Sequence, residues 1–441
     1  MFPYVSKFDK TYSVCYYFSW IRDYHKPKYF SNIFYFLPKG ENHSMRARIF
    51  ALTSVILSAF LSIYLFGCDR ISHVVQPDAV TTSIETTLKI GVIQPSNTFT
   101  TFSQGTETAR AQINSNGGVL GMEVVFISRD NQPVATEPPT PEASVSAAKE
   151  LIDMENVFAL LGPVYSTNAV EVGPIAQQAQ RLMLPGSSGA NVPAAGDHVF
   201  LITVPNPFQG KVMAGFAMNP DELGAKTAAT IIEEGDVYTI DLVAAFEAAF
   251  QANGGEIVYS GAYTVGDTNF TGLLTEIHEV TPDVIFCPGF QPEVPTLINA
   301  ARQLGITATF LGGSAWDDRE RFLSILADNT VLDGSYYPTN FSVATQDADV
   351  QEFVGNYMAL FESPPDGIAA SGYDAMRLLA LAIETTGSLD LMAVRDAFAA
   401  VSGYKGATTI SHYDENRHPV KSLAIQVIRD GQVELYKVVE P

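Results

Sequence analysis

The chain has 441 residues, and its 26 lysines and arginines against 48 aspartates and glutamates give a formal net charge of −22 at pH 7. So acidic a surface repels nucleic acid and anionic lipid, and the length suffices for two ordinary domains with large cores. Of three cysteines, at 15, 68 and 287, only Cys287 lies beyond residue 68, which excludes a disulfide within the C-terminal core and argues against a cysteine-based metal site.

Residues 1–44 are crowded with aromatic side chains (Tyr16-Tyr17-Phe18-Ser19-Trp20, Phe34-Tyr35-Phe36) and carry neither an amphipathic period nor a sustained apolar run. They read as an extra segment or as the product of an upstream start, with Met45 the true one. From Met45 the pattern changes. Arg46 and Arg48 precede an apolar run over residues 49–66, short and serine-interrupted for a membrane span, which ends in Leu65-Phe66-Gly67-Cys68. Residues 45–67 resemble a lipoprotein signal peptide, whose lipobox would make Cys68 the lipidated first residue of the mature protein; an ordinary signal anchor ending in Gly-Cys is the alternative. Residues 68–87, rich in Ser, Thr and Val, read as a flexible tether.

The folded part begins with a short apolar strand at 88–93 and a helix at 105–116, stopped by Gly117-Gly118. A strand at 122–127, a helix at 141–154, a strand at 157–161, a helix at 168–180 and a strand at 182–184 follow. A second run of this kind starts near Gly224: strands at 225–232, 256–259, 282–287 and 309–311 alternate with helices at 240–252, 270–279 and 294–304. Cys287 ends an apolar run and reads as a buried strand residue. Helices at 350–362, 373–386 and 392–401 come next, then a hairpin over 423–439 around Asp430-Gly431, a dipeptide suited to a two-residue turn. Strands separated by helices of these lengths predict an α/β protein of two doubly wound parallel-sheet lobes.

The order of Ile113-Asn114-Ser115-Asn116-Gly117-Gly118, Leu161-Gly162-Pro163-Val164-Tyr165-Ser166, Asp236-Val237-Tyr238, Asn253-Gly254-Gly255-Glu256 and Gly372-Tyr373-Asp374-Ala375 is similar to that of the branched-chain amino-acid-binding proteins, type I periplasmic binding proteins of ABC transporters. The likeness spans about residues 88–440. It implies two lobes joined by three crossovers, closing over a ligand: residues 88–211 and 335–422 for the first, 212–334 and 423–441 for the second. It further implies a small-molecule ligand (an amino acid, an amide or similar), ABC permease subunits as partners, a monomer held to the membrane by its lipid, no nucleic acid, no cofactor and no metal.

Open α/β sheets bind ligands beyond the carboxyl ends of their strands, so the loops there carry the candidate residues. Ser166 opens a helix after the strand at 157–161 and matches the family serine that binds the ligand carboxylate; a plain N-cap is the alternative. Ser187 and Ser188, in Pro185-Gly186-Ser187-Ser188-Gly189-Ala190, match the segment completing that site, although a simple Gly-Ser turn fits the same residues. Tyr238, followed by Thr239 where the family has glycine, and Phe290 correspond to aromatic walls from the second lobe, or to ordinary packing. The acid that holds a ligand amine aligns with Ser314, leaving Asp317 as a candidate only if that loop is longer, so amine-free ligands such as amides, urea or aromatic acids stay open.

Two other classes compete with transport binding. Catalysis has little to stand on: Gln94-Pro95-Ser96-Asn97 lacks the dinucleotide glycine pattern, Gly186-Ser187-Ser188-Gly189 is one residue short of a nucleophile elbow, and His412 and His418 flank Asp414-Glu415 in a polar turn. A ligand-sensing lipoprotein of the same fold, signalling through a partner, is the other.

Overall fold

The computed structural model describes residues 87–134 and 137–441. The expected signal peptide, Cys68 and nearly all of the tether therefore lie outside the described residues. In the first lobe, β1 (Thr87–Gln94), α1 (Thr101–Ser115), β2 (Glu123–Asp130), α2 (Pro141–Lys149, continued by a π turn over Glu150–Met154), β3 (Ala159–Leu161), α3 (Ser166–Gln178) and β4 (Leu182–Leu184) alternate as expected. Local chemistry sets their ends. Thr140 Oγ1 accepts from Ala143 N–H at the start of α2, with Pro141 in the first turn, and α1 gives way to Gly117 and Gly118 at φ +101° and +77°.

The chain then crosses to the second lobe. Here α4 (Asn206–Met218), β5 (Thr227–Glu233), α5 (Val237–Ala252), β6 (Glu256–Tyr263), α6 (Thr271–Val280), β7 (Val284–Phe286), α7 (Glu293–Gln303), β8 (Thr309–Leu311), a 3-10 turn over Ser314–Asp317, α8 (Arg319–Ser324) and β9 (Tyr336–Thr339) follow. It returns to the first lobe for α9 (Ala348–Phe361), α10 (Gly367–Thr386), α11 (Leu391–Ala399) and a small antiparallel sheet of β10 (Ser402–Lys405), β11 (Thr409–Tyr413) and β12 (Pro419–Val420). The hairpin β13 (Leu423–Arg429) and β14 (Gln432–Val439) ends the fold, with Asp430 and Gly431 at φ +49° and +67° in its two-residue turn.

Four parallel strands in the order β2-β1-β3-β4 make the first sheet, and seven in the order β14-β13-β9-β8-β7-β5-β6 the second, whose β13 runs antiparallel to both neighbours. β3 and β4 are buried at every position, which is why they read as unbroken apolar runs. Cys287, just past β7, is fully buried and its thiol is pushed up to about 12 by that burial. The sheets place the crossovers differently from the sequence reading. β9 belongs to the second sheet, so the chain leaves that lobe after Thr339 and not at 334, and α4 packs on α5, so it enters before Asn206 and not at 211. Tyr336-Tyr337-Pro338-Thr339 is too short and too mixed to announce itself as a strand; only pairing with β13 and β8 defines it.

The floor of the first lobe depends on the close approach of α1 and α10. A Cβ on Gly105 would lie 1.9 Å from Ala369 O, and one on Gly372 would lie 2.0 Å from Phe102 O. Backbone meets backbone there, so no side chain can swing aside. Gly372→Ala should therefore cost about 1–3 kcal/mol, seen as a lower urea midpoint at unchanged slope. Gly355→Ala, on an exposed part of α9 where a Cβ meets nothing within 4 Å, should instead gain about 0.5–1 kcal/mol from helix propensity.

Candidate functional site

The cleft between the lobes is closed. From the first lobe, the Thr167 hydroxyl at the start of α3 donates to Asp236 Oδ2 (3.0 Å) and accepts from Val237 N–H (3.0 Å) at the start of α5. Phe99 N–H, beyond β1, donates to Asp318 Oδ2 (3.3 Å), Gly367 N–H donates to Asp317 Oδ2 (2.7 Å), and Arg321 reaches the carbonyl of Asn97. These bonds ring a cavity of about 50 Å³.

Ser166, Ser187, Ser188, Tyr238 and Phe290 all line this one cavity. Each sits past the carboxyl end of a strand: Ser166 after β3, Ser187 and Ser188 after β4, Tyr238 after β5, Phe290 after β7. Ser166 is the first residue of α3 and is 2 % exposed. Its Oγ accepts from Gly189 N–H (3.1 Å) and caps nothing in its own helix, so the hydroxyl hydrogen remains for the cavity, beside the amide groups that every helix start leaves open. Ser187 Oγ is buried without a partner. Tyr238 Oη accepts from Ala315 N–H (3.1 Å), which fixes the ring against Phe290 at 5.4 Å between centroids.

Thr239, standing where the family has glycine, is buried and useful: its Oγ1 accepts from Glu233 N–H (3.1 Å), while its N–H donates to the cap Asp236 (2.8 Å). The turn that presents Tyr238 is thus built from side chains.

Asp317 stands apart from the other five. It is fully buried and does not line the cavity. The 3-10 turn carries Ser314 and Ala315 at the cavity, while Asp317 lies one turn further along, about 6 Å of rise. There its two oxygens accept from Tyr337 Oη (2.9 Å), Thr339 Oγ1 (2.6 Å), Gly367 N–H (2.7 Å) and Arg319 Nη2 (3.1 Å).

Phe99, Tyr165, Thr203, Thr339, Asn340, Gly367, Ile368 and Ser371 complete the lining unforeseen. Phe99 and Tyr165 follow strands and were open to the same rule; Thr339 ends β9, and the others lie on crossovers and on α10, which no local pattern marks. The rings of Phe99, Tyr165 and Phe290 meet at 5.2, 6.1 and 5.0 Å and form an apolar wall. Among the described residues, no three or more His, Cys, Asp or Glu side chains are grouped to hold a metal ion.

Closure also brings acids together. Asp366 of the first lobe, which caps Ala369 N–H (2.7 Å), faces Asp317, Asp318 and Arg319 of the second. Burial, then the charge of Asp317, holds its carboxyl well above the ordinary range, and burial raises Asp318 from 3.8 to about 6. A carboxyl raised in the folded state supplies stability that is complete below its unfolded value and lost as pH rises through its folded value. Carboxylates with lowered values, such as Glu222 and Asp283, act oppositely and at lower pH. The melting temperature should therefore fall from about pH 5 to pH 8, and Asp366→Asn, which keeps the cap, should flatten that fall; an unchanged slope would count against the raised carboxyl.

The periplasmic binding protein model matches residues 87–432. A Leu/Ile/Val-binding protein of Rhizobium johnstonii is 28 % identical over 308 residues, 69 % of this chain and 78 % of the relative. A leucine-binding protein of Thermotoga maritima superposes with a TM-score of 0.74 at 28 % identity, covering 80 % of this chain and 99 % of the other. The isoleucine complex of a branched-chain amino acid transporter substrate-binding protein from Streptococcus pneumoniae gives the same TM-score at 24 % identity, covering 81 % and 100 %, and shows the shared fold. With that match over most of its length, and two sheets whose parallel strands end at one closed cleft, the chain belongs to the periplasmic binding protein family.

Proposed function

We propose that the protein is the extracytoplasmic solute-binding component of an ABC importer: its lobes close over a small, largely apolar solute, an amino acid or an amine-free relative such as an amide, and the closed form docks on a membrane permease. The observation carrying this reading is the cavity itself, lined from both lobes and sealed by bonds that join two helix starts across the cleft. Relatives named for leucine, isoleucine and valine support the choice of solute. Burial between lobes makes each polar contact count in a water-poor site, and a permease distinguishes the closed form from the open one. Micromolar affinity needs only about 8 kcal/mol. Binding, not turnover, is the task of such a cavity.

A thermal-shift screen of amino acids, amides, urea and small carboxylic acids, followed by titration calorimetry, tests the reading; a melting curve that nothing shifts would defeat it. With a ligand in hand, Ser166→Ala should weaken binding roughly ten- to a hundredfold, about 1.5–3 kcal/mol, at a smaller cost to the ligand-free melt. Thr167→Val touches no ligand but removes both bonds at the sealed rim. It should weaken binding roughly five- to thirtyfold by making closure costlier, about 1–2 kcal/mol.

Lipid at Cys68 would tether these lobes to the membrane that holds the permease, at about 0.8 kcal/mol per buried methylene. Cys68→Ser should abolish lipid labelling. An unmodified mature terminus within residues 69–87 of the wild-type protein would instead mean ordinary signal cleavage.

A further inference from the structure

The cavity holds no charge. None of its lining residues is Asp, Glu, Lys, Arg or His. Its polar lining is made of hydroxyls and backbone groups: the Ser166 hydroxyl, whose oxygen already accepts from Gly189 N–H and whose hydrogen is free to donate, stands at the start of α3, and Ser187 Oγ is 3 % exposed and without a partner, beside the further hydroxyls of Ser188 and Ser314. Three oxygens near the cavity already accept a bond from the protein. Ser187 O receives the Thr203 hydroxyl, Gly367 O receives Ser371 Oγ, and Asn340 Oδ1 receives Val204 N–H. Phe99, Phe290 and Ile368 supply the apolar part of the lining.

Three buried acids at the closed cleft are committed to the protein. Asp317 has four donors on its two oxygens, Asp318 receives Phe99 N–H and the Gln291 amide, and Asp366 caps α10. None of the three lines the cavity. An ammonium buried there would find no carboxylate in the lining to pair with, and an unpaired buried charge is strongly unfavourable. A carboxylate would meet the positive end of α3 and two hydroxyls.

We infer that the solute is a small monocarboxylate with an apolar body and no ammonium group, gripped by the start of α3 with Ser166 and Ser187. This rests on the solute-binding reading above and narrows it. Calorimetry on the purified protein with matched pairs isolates the point: valine against 3-methylbutanoate, leucine against 4-methylpentanoate, phenylalanine against 3-phenylpropanoate. Each pair differs only in the ammonium.

At least one acid should bind tenfold or more tightly than its amino acid, and more tightly than its own amide. Ser314→Glu, which sets a carboxylate in the lining, should then weaken that acid at least tenfold and narrow or reverse the preference. An amino acid that equals or beats its acid overturns the inference and leaves solute binding standing, as does an amide that matches the acid. If no member of any pair binds, solute binding itself falls and takes the inference with it. Should Ser314→Glu fail to fold, the wild-type pairs decide alone.

Discussion

Parallel strands end together, and in this protein two sets of them end at the same gap. Because each strand of a doubly wound sheet hands over to a helix on its carboxyl side, the starts of those helices, with their unpaired N–H groups and positive dipole ends, collect along the cleft. α3 and α5 come close enough there for one threonine hydroxyl, Thr167, to bridge Asp236 and Val237 across the lobes. Residues far apart in the chain, from Phe99 to Ser371, meet around one small cavity as a consequence.

The division of charge around the cleft follows from what burial costs. Asp317, Asp318 and Asp366 are all buried, yet each has been given donors from the protein: backbone N–H groups of Phe99, Gly367 and Ala369, the hydroxyls of Tyr337 and Thr339, the amide of Gln291 and the guanidinium of Arg319. Acids so satisfied fasten one lobe to the other and make few demands on a ligand. The cavity beside them is left with hydroxyls, amide groups and rings, a lining whose selectivity comes from hydrogen bonds and shape. Segregating fixed charge from the binding surface lets closure be stabilised by the protein's own groups, while the solute contributes the remainder.

Much of the site was legible because it obeys a local rule. Ser166, Ser187, Ser188, Tyr238 and Phe290 each follow a strand within a few residues, and an apolar run with a helix signal after it identifies such a position without tertiary knowledge. Asp317 was not legible in this way. The sequence offers it as an amine-holding acid only if its loop is longer, but its partners come from residues 319, 337, 339 and 367, and only folding shows that they converge on it. The bond that Ser166 Oγ accepts from Gly189 N–H is likewise one that no spacing rule connects to it.

By itself the sequence determined the alternation of strand and helix, the two lobes and the closing hairpin, because those depend on hydrophobic period, glycine stops and turn dipeptides, all properties of neighbouring residues. The tertiary structure decided where the lobes exchange chain: β9 is a strand because β13 and β8 pair with it, and α4 belongs to the second lobe because α5 receives it. It also decided which acids are spent within the protein and which surfaces stay open, since hydrogen-bond satisfaction is settled among groups brought together from distant parts of the chain, and sequence spacing carries no record of that meeting.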